Sequence, residues 1–405
     1  MNIIERLIDL LKKGLKKMEI LDVREVDVRS KYVLLRDDFN VQIVDGKITD
    51  TFRIDSSMPT IKYLIDNGAR VVICSHLGRP NGKYVPELSL RPVAEYMNLP
   101  FVDDCMKKDF LLDMADGDVV LLENLRFYAG EEENDDAFSK KLASGYDIYV
   151  DDAFAVSHRS AASVVGVTKY LPSYAGLLLE KEITNLTKLL ENPMRPLVAY
   201  VGGSKVSTKI DVLKKIVKFA DKMVVGGAMG TTFNYALGLP VGDSFCEKDM
   251  VGTVNEIIKL AVENDCKLFL PLDKGVGKEF DKNAARENRD ADKIKDEDII
   301  MDDGDKTIAR NIVLLNTAKT VVWNGPFGVT EFGARWGRAS FDFAHALADY
   351  TKDGKLESIV GGGDTVAVLD VCGVMDDISY VSTGGGAFLE FIEGKSLPGI
   401  KVLEK

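Results

Sequence analysis

The sequence predicts an α/β protein with two doubly wound parallel-sheet domains. The chain has 405 residues, which is long for a single hydrophobic core and indicates two domains. Short apolar runs rich in β-branched residues recur along it, separated by stretches with helical periodicity, a pattern typical of parallel sheets covered by helices. Most of these runs end in glycine, polar or charged residues. Each domain is therefore expected to be Rossmann-like, with its ligand at the carboxyl ends of the strands.

Four predicted strands form a first series and define an N-terminal domain over residues 1–183. Their runs are KYVLLRDDFN from residue 31, RVVICSHLGR from 70, DVVLLENLRF from 118 and YDIYVDDAF from 146. A helix-forming stretch, LEKEITNLTKLLENPMRP, follows at 179–196 and is closed by Asn192-Pro193 and Pro196. We interpret residues 184–196 as an interdomain helix, with a cleft and a hinge between the two domains.

A second series of predicted strands defines a C-terminal domain over residues 197–392. Its runs are PLVAYVGGSK from 196, DKMVVGGAMG from 221, KLFLPLD from 267, TVVWNGPFG from 320, ESIVGGGDTVAVLD from 357 and ISYVSTGGGA from 378. The tail, residues 393–405, is expected to pack back on the N-terminal domain.

The N-terminus, MNIIERLIDLLKKGLKKMEI, carries charges inside its apolar stretch, so it is unlike a signal peptide. Its apolar residues recur at helical spacing, which predicts an amphipathic helix with a basic end. Packing against the body or a partner is favoured over binding at a membrane surface.

Composition excludes several classes of protein. The net charge is −12, so a long basic face for nucleic acid or anionic lipid is not expected. The five cysteines form no C-x-x-C pair, which argues against metal fingers and redox motifs and favours buried thiols in a reducing cytoplasm. No apolar run reaches the roughly 20 residues that span a bilayer. We expect a cytoplasmic monomer that binds neither nucleic acid nor membrane.

The first series collects cations and polar residues near its strand ends, which suggests a site for a small, highly charged anion. Guanidinium groups match phosphate and carboxylate oxygens with paired hydrogen bonds. Any one arginine could instead form a surface ion pair. The residues are Asp38, Asn40, Arg53, His76, Arg79, Arg126 and Arg159.

His76 invites a general-base assignment, but the sequence argues against it. The chain has three histidines, and no Ser-His-Asp or Cys-His pattern accompanies them. Taken alone, His76 is better explained as a hydrogen-bonded structural residue than as a catalytic base.

The second series carries glycine-rich turns, which can hold phosphate because backbone N–H groups approach an anion closely. Lys205 and Lys209 lie four residues apart and would share a face if their segment were helical, or they could be solvated. After Gly361–Gly363 comes an acid, Asp364, in place of the Lys-Ser/Thr of a Walker loop. An acid beside phosphate calls for a metal ion between them.

These motifs together resemble the phosphoglycerate kinase family. The segments RDDFNV, SHLGRP, ENLRF, DDAF with HRS, GGSKVSTK, WNGPFGVTE, GGGDT and STGGGA occur in that family's order and approximate spacing, from about residue 20 to the C-terminus. The family transfers the γ-phosphoryl group of Mg-ATP reversibly to the carboxylate of 3-phosphoglycerate, giving ADP and 1,3-bisphosphoglycerate.

The resemblance implies a role for each matching residue. The first domain would bind 3-phosphoglycerate through Asp38, Phe39, Asn40, Arg53, His76, Leu77, Gly78, Arg79, Arg126 and Arg159. The nucleotide would contact Lys209, Asn324, Glu331, Gly362, Gly363, Asp364 and Thr365. Arg53, Lys205, Lys209 and Gly385 would act on the transferring phosphoryl group, and Asp364 would bind Mg²⁺.

Some positions depart from the family's pattern. Asp37 stands at a usually apolar place, Gln42 and Asp305 stand where proline is common, and Asp151 replaces a usual asparagine. None of these changes removes a cation or the metal ligand. Two alternatives remain, namely a kinase of another carboxylate and a non-catalytic nucleotide- or phosphoanion-binding relative.

Overall fold

The structure is a computed structural model that describes residues 19–405. The amphipathic helix predicted at the N-terminus lies outside the described residues, apart from its last two positions. The chain divides into two compact units. The first runs up to Glu182 and also includes Ser396–Lys405, and the second is Ile183–Lys395.

The first unit is built on a parallel six-stranded sheet in the order β5-β6-β4-β1-β7-β8. The central strands are buried along almost their whole length, as expected for a sheet covered on both faces. The strands of this unit, including the separate β2–β3 hairpin, are β1 Tyr32–Arg36, β2 Ile43–Val44, β3 Lys47–Ile48, β4 Arg70–Cys74, β5 Phe101–Val102, β6 Val119–Leu122, β7 Ile148–Asp151 and β8 Ser173–Ala175. Its helices are α1 Phe52–Asp66, α2 Arg91–Met97, α3 Ala129–Glu132 and α4 Asp136–Ala143.

A helix that contains the boundary between the units, α5 Leu177–Glu191, follows β8. It begins earlier and ends earlier than the helix predicted over 184–196. The early end has a local reason, because Pro193 disfavours helical backbone at Asn192. At its start, the N–H groups of Leu178 and Leu179 donate to Asp152 Oδ1 at 2.9 and 3.0 Å.

The second unit has a parallel six-stranded sheet in the order β11-β10-β9-β15-β16-β17. The strands of this unit, including a separate sheet of β12, β13 and β14, are β9 Leu197–Val201, β10 Lys222–Val225, β11 Lys267–Phe269, β12 Asp273–Gly277, β13 Glu287–Asp290, β14 Ile299–Asp303, β15 Thr320–Asn324, β16 Glu357–Val360 and β17 Tyr380–Val381. Its helices are α6 Ile210–Phe219, α7 Gly227–Ala236, α8 Val251–Glu263, α9 Asp305–Leu315, α10 Arg338–Lys352, α11 Gly363–Cys372 and α12 Gly385–Glu393.

The C-terminal tail, with helix α13 Pro398–Lys401, is part of the first unit. Leu21 N–H donates to Leu403 O at 2.9 Å, and Gly399 N–H donates to Ser157 O at 2.9 Å.

The two predicted parallel sheets are confirmed, and each predicted apolar run contains a strand. Several elements were not predicted, among them the edge strands β5 and β8, the β2–β3 hairpin and an antiparallel sheet in the order β13-β12-β14. Strands of two or three residues are too short to show a period, and β13 has the polar sequence ENRD. In residues 19–405 no helix is long and apolar enough to cross a membrane.

Candidate active site

Two turns in the first unit, those after β1 and β4, are joined by side-chain hydrogen bonds. Gly78 N–H donates to Asn40 Oδ1 at 2.9 Å, and Phe39 N–H donates to Ser75 Oγ at 2.8 Å. Phe39 and Leu77 are buried and anchor the turns in the core beneath them. The predicted residues of these two motifs therefore share one edge of the sheet.

Arg53 joins these turns from the first turn of α1. Its guanidinium forms an ion pair with Asp38, and Asp38 Oδ1 lies 3.7 Å from His76 Nδ1. The Arg53 side chain keeps 26% of its surface exposed, so it can still meet a ligand.

A cavity of about 280 Å³ lies beside these turns, and Arg126 and Arg159 line it. Arg126 is buried and donates from Nη1 to Gly78 O at 2.7 Å, while its Nε lies 3.5 Å from Glu132 Oε1. Burial, and then the charges of Arg36 and Arg159, lower the pKa of Arg126 to about 10. Arg36 lines the cavity as well, and so do Glu131 and Glu132, so the arginines leave a small excess of positive charge that favours an anion. Arg79 is exposed.

His76 is held as the neutral imidazole. Burial, followed by the charges of Arg36, Arg126 and other nearby arginines, lowers the pKa of His76 well below its usual value. Arg36 Nη2 lies 3.2 Å from His76 Nδ1. Because a guanidinium can only donate, Nδ1 accepts and the imidazole proton is assigned to Nε2.

In the second unit, Lys209 ties together the turns that follow β9 and β15. Its Nζ donates to Asn324 Oδ1 at 2.6 Å and to Gly202 O at 2.9 Å. Asn324 Nδ2 in turn donates to Gly361 O at 2.6 Å, which adds the turn after β16. Burial lowers the pKa of Lys209 to about 8, against the opposing effect of Asp364. The ammonium is thus close to the acid after the glycines.

The turn after β16 requires glycine and ends at an uncapped helix. Gly362 has φ +99°, and a Cβ there would lie 2.6 Å from Asn324 Nδ2. Thr365 is buried and accepts from Gly325 N–H at 2.7 Å. No side chain caps the start of α11 at Gly363 or of α12 at Gly385. Helix N-termini without a capping side chain present N–H groups that suit phosphate.

In the second unit the predicted residues Asp364, Lys205 and Glu331 have exposed side chains. The helical alternative for Lys205 and Lys209 does not apply, because α6 begins at Ile210, after both lysines. The preceding residues form turns, in which Thr208 Oγ donates to Lys205 O at 3.0 Å. The two lysines therefore lie in a loop.

A model of the family described as phosphoglycerate kinase matches residues 23–395. The chain belongs to the phosphoglycerate kinase family.

Curated relatives with this name match over nearly their full length. The phosphoglycerate kinase of Desulfosudis oleivorans is 46% identical over 397 residues, covering 95% of this chain and 98% of that protein. The phosphoglycerate kinase of Methylorubrum extorquens strain PA1 is 45% identical over 395 residues, covering 94% of this chain and 98% of that protein.

Solved phosphoglycerate kinases share the fold. The structure from Coxiella burnetii has a TM-score of 0.83 at 41% identity and covers 95% of this chain and 99% of its own. The structure from Pyrococcus horikoshii OT3 has a TM-score of 0.82 at 29% identity, covering 95% of this chain and 98% of its own. The chain is accordingly a phosphotransferase with phosphoglycerate kinase activity.

Sequence reasoning missed one cation that lines the cavity, Arg36. This fully buried residue is the last of β1. It faces His76 and donates from Nε to Ser163 Oγ at 2.8 Å. Ser163 Oγ donates to Glu131 Oε1 at 2.6 Å. The signal was present in the strand YVLLR, where a charged residue ends an otherwise apolar run.

Two departures from the phosphoglycerate kinase pattern, Asp37 and Asp151, meet Asp152 in the core of the first unit. All three carboxyl groups are fully buried. Burial raises the pKa of Asp151 and of Asp152 to about 7, and it raises the pKa of Asp37 well above its usual value, with a further contribution from the charge of Asp152.

Proposed function

We propose that the chain transfers the γ-phosphoryl group of Mg-ATP to the carboxylate of 3-phosphoglycerate, reversibly, giving ADP and 1,3-bisphosphoglycerate. The observation that carries the assignment is the arginine-lined cavity beside Asp38 and the neutral His76. Its three arginines outnumber its two glutamates, which suits an anionic group of a small ligand.

The first unit would bind the acceptor, with roles divided along the sheet edge. Asp38 and Asn40, with the backbone of Phe39, would meet the glycerate hydroxyl and carboxylate. The distal phosphate would lie against His76, Leu77, Gly78, Arg79, Arg126 and Arg159. Arg53 is held by Asp38 at the mouth of this region, which suits contact with the transferring group.

No proton has to be removed from the acceptor, because a carboxylate with a reference pKa near 4 is ionised at neutral pH. The barrier lies in bringing two anions together and in stabilising charge over the equatorial oxygens. A neutral His76 with its proton on Nε2 can donate a hydrogen bond to the substrate but is a weak base. His76 would therefore bind the acceptor without transferring a proton.

The second unit would bind the nucleotide. Lys209, Asn324, Gly362, Gly363 and Thr365 would surround its phosphates, where the amides at the start of α11 point towards the anion. Glu331 would accept from the ribose hydroxyls. Lys205 and the start of α12 at Gly385 would meet the phosphoryl group during transfer.

Asp364 suits magnesium, which prefers hard oxygen ligands and keeps several waters, so that one or two carboxylates with substrate phosphates suffice. Its carboxylate is exposed in the first turn of α11 and influences the ammonium of Lys209. When bound, Mg²⁺ would neutralise charge on the nucleotide oxygens.

These assignments make residues 1–183 the 3-phosphoglycerate domain and 197–392 the nucleotide domain, with 184–196 as the connection. Because the reactants bind to different domains, we propose that transfer requires hinge closure, which would also exclude water. We further propose that the protein works as a monomer in the cytoplasm.

The test compares acceptors. We expect ADP release from Mg-ATP with 3-phosphoglycerate and far less with glycerate, which lacks the distal phosphate, or with acetate. Preference for acetate or another acid would favour the kinase of a different carboxylate. Binding of ADP without turnover on any acceptor would favour the non-catalytic alternative.

A further inference from the structure

A buried ion pair between Lys274 and Asp303 lies under the glycine turn at the start of α7. The two residues are directly opposite each other in the antiparallel pair β12–β14. Lys274 Nζ donates to Asp303 Oδ1 at 2.8 Å, and the side chains are 1% and 0% exposed. An ammonium and a carboxyl group are therefore withdrawn from water at this place, and burial raises the pKa of Asp303 against the opposing charge of Lys274.

Both charges also bind the backbone of one residue, Gly227. Lys274 Nζ donates to Gly227 O at 3.1 Å, and Gly227 N–H lies 3.4 Å from Asp303 Oδ2. Gly227 has φ +64°, and a Cβ on the preceding Gly226 would lie 2.7 Å from Asp303 Oδ2. The pair thus fixes the position of this turn from below.

The Gly226–Gly227 turn touches the turns that we assign to the nucleotide. A Cβ on Gly227 would lie 3.0 Å from Pro326 O and 3.1 Å from Gly203 O. Met229 N–H donates to Gly203 O at 3.0 Å. Gly203 and Pro326 lie beside Gly202 and Gly325, where Lys209 is bound. A shift at Gly227 would therefore move the backbone that holds Lys209.

Stability alone does not account for such a pair. Withdrawing two charges from water costs about as much as their attraction returns, and well-packed apolar residues of similar volume are often as stable or more stable. Removing one partner is different, because it leaves an uncompensated buried charge. If the pair fixes the geometry of the Gly226–Gly227 turn, both its small net contribution to stability and the high cost of losing one partner are accounted for.

We propose that Lys274 and Asp303 are positioning residues for nucleotide binding, an inference that rests on the proposed function of the second unit. They act through Gly227 and set the spacing of the turns after β9, β10 and β15. Neither side chain is assigned a contact with the nucleotide itself.

The test is the double variant Lys274→Met/Asp303→Leu, which replaces the pair by apolar residues of similar size. We expect an equal or higher Tm, a KM for Mg-ATP raised roughly fivefold because the hydrogen bonds to Gly227 are lost, and an unchanged KM for 3-phosphoglycerate. Isothermal titration with ADP should show the same loss. The control, Lys214→Met/Glu256→Leu, removes the 2.8 Å ion pair between α6 and α8 and should change neither KM.

An unchanged KM for Mg-ATP in the folded double variant would overturn the inference, and so would an equal rise in both KM values. If that variant does not fold, Lys274→Met/Asp303→Asn removes the bond to Gly227 O but keeps an acceptor for Gly227 N–H, so it should raise the KM for Mg-ATP by a smaller factor, and an unchanged KM would again overturn the inference. If the wild-type protein transfers no phosphoryl group, the proposed function is refuted instead. Failure of the proposed function is thus distinguished from failure of the inference about Lys274 and Asp303.

Discussion

Asp151→Asn should stabilise the first unit, and increasingly so as the pH rises. The pKa of Asp151 is about 7 in the folded protein, against a usual value of 3.8. Ionisation of the buried carboxyl therefore costs on the order of 4 kcal/mol of folding free energy at pH 8. Asparagine carries no charge and can keep the bond that Ala153 N–H donates to Asp151 Oδ1 at 3.0 Å.

The direction of this pH dependence of stability follows from the protons that the folded and unfolded chains bind. Between about pH 4 and pH 7 the folded protein holds a proton on Asp151 that the unfolded chain has lost, so the wild type loses stability as the pH rises through this range. From pH 5 to pH 8 the advantage of the variant should grow by about 3 kcal/mol. Burial is the largest cause of the raised pKa, and it acts on Asp152 as well.

Urea unfolding at pH 5 and pH 8, followed by far-UV circular dichroism, measures the effect. Fluorescence gives an internal control, because Trp323 and Trp336 both lie in the second unit. Asp113→Asn is the matched variant, since Asp113 is an exposed acid of the same unit. An Asp151→Asn advantage that does not change with pH would refute the reasoning that the folded carboxylate is penalised by burial.

Four further outcomes are expected. Arg53→Ala should lower kcat roughly 100-fold or more with little change in ADP affinity, because its charge acts on the transferring group; an equal loss of both would contradict that role. Asp364→Ala should raise the Mg²⁺ concentration needed for half-maximal rate, and an unaltered Mg²⁺ titration would speak against the metal assignment. Because the pKa of His76 is lowered, kcat/KM for 3-phosphoglycerate should show no limb from this group between pH 6 and pH 8; a limb near 6.5 that His76→Gln abolishes would show proton transfer. ADP affinity should weaken as the pH rises from 7 to 9 and Lys209, with a pKa of about 8, loses its proton; a Lys209→Arg variant with the same decline would exclude Lys209 as its source.

The central strands could be predicted from the sequence because their signal is local. Runs such as VVIC in β4 and VVLL in β6 are buried on both faces and are apolar throughout. Their polar endings also indicated the binding edge. By contrast, the antiparallel β13-β12-β14 sheet depends on pairing between short segments of polar or mixed sequence, ENRD, DKGVG and IIMDD, so no single window of the sequence reveals it.

The site residues could be listed from motifs, but their arrangement could not. Spacing alone left open whether Lys205 and Lys209 lie on a helix, and Lys209 in fact contacts Gly202 and Asn324 from a loop. The inward direction of Arg36 and the pairing of Lys274 with Asp303 arise only when distant strands meet. Burial of charge is a property of the fold and leaves little trace in composition.

The central claim is that an acyl phosphate forms from Mg-ATP and 3-phosphoglycerate. Phosphorus NMR of the purified full-length protein with both substrates follows that bond directly. Because transfer from ATP to a carboxylate is uphill, ADP is removed with phosphoenolpyruvate and pyruvate kinase, and we expect a new acyl-phosphate resonance that grows together with pyruvate and requires Mg²⁺. Release of inorganic phosphate and ADP with no acyl phosphate, from a folded protein, would contradict it.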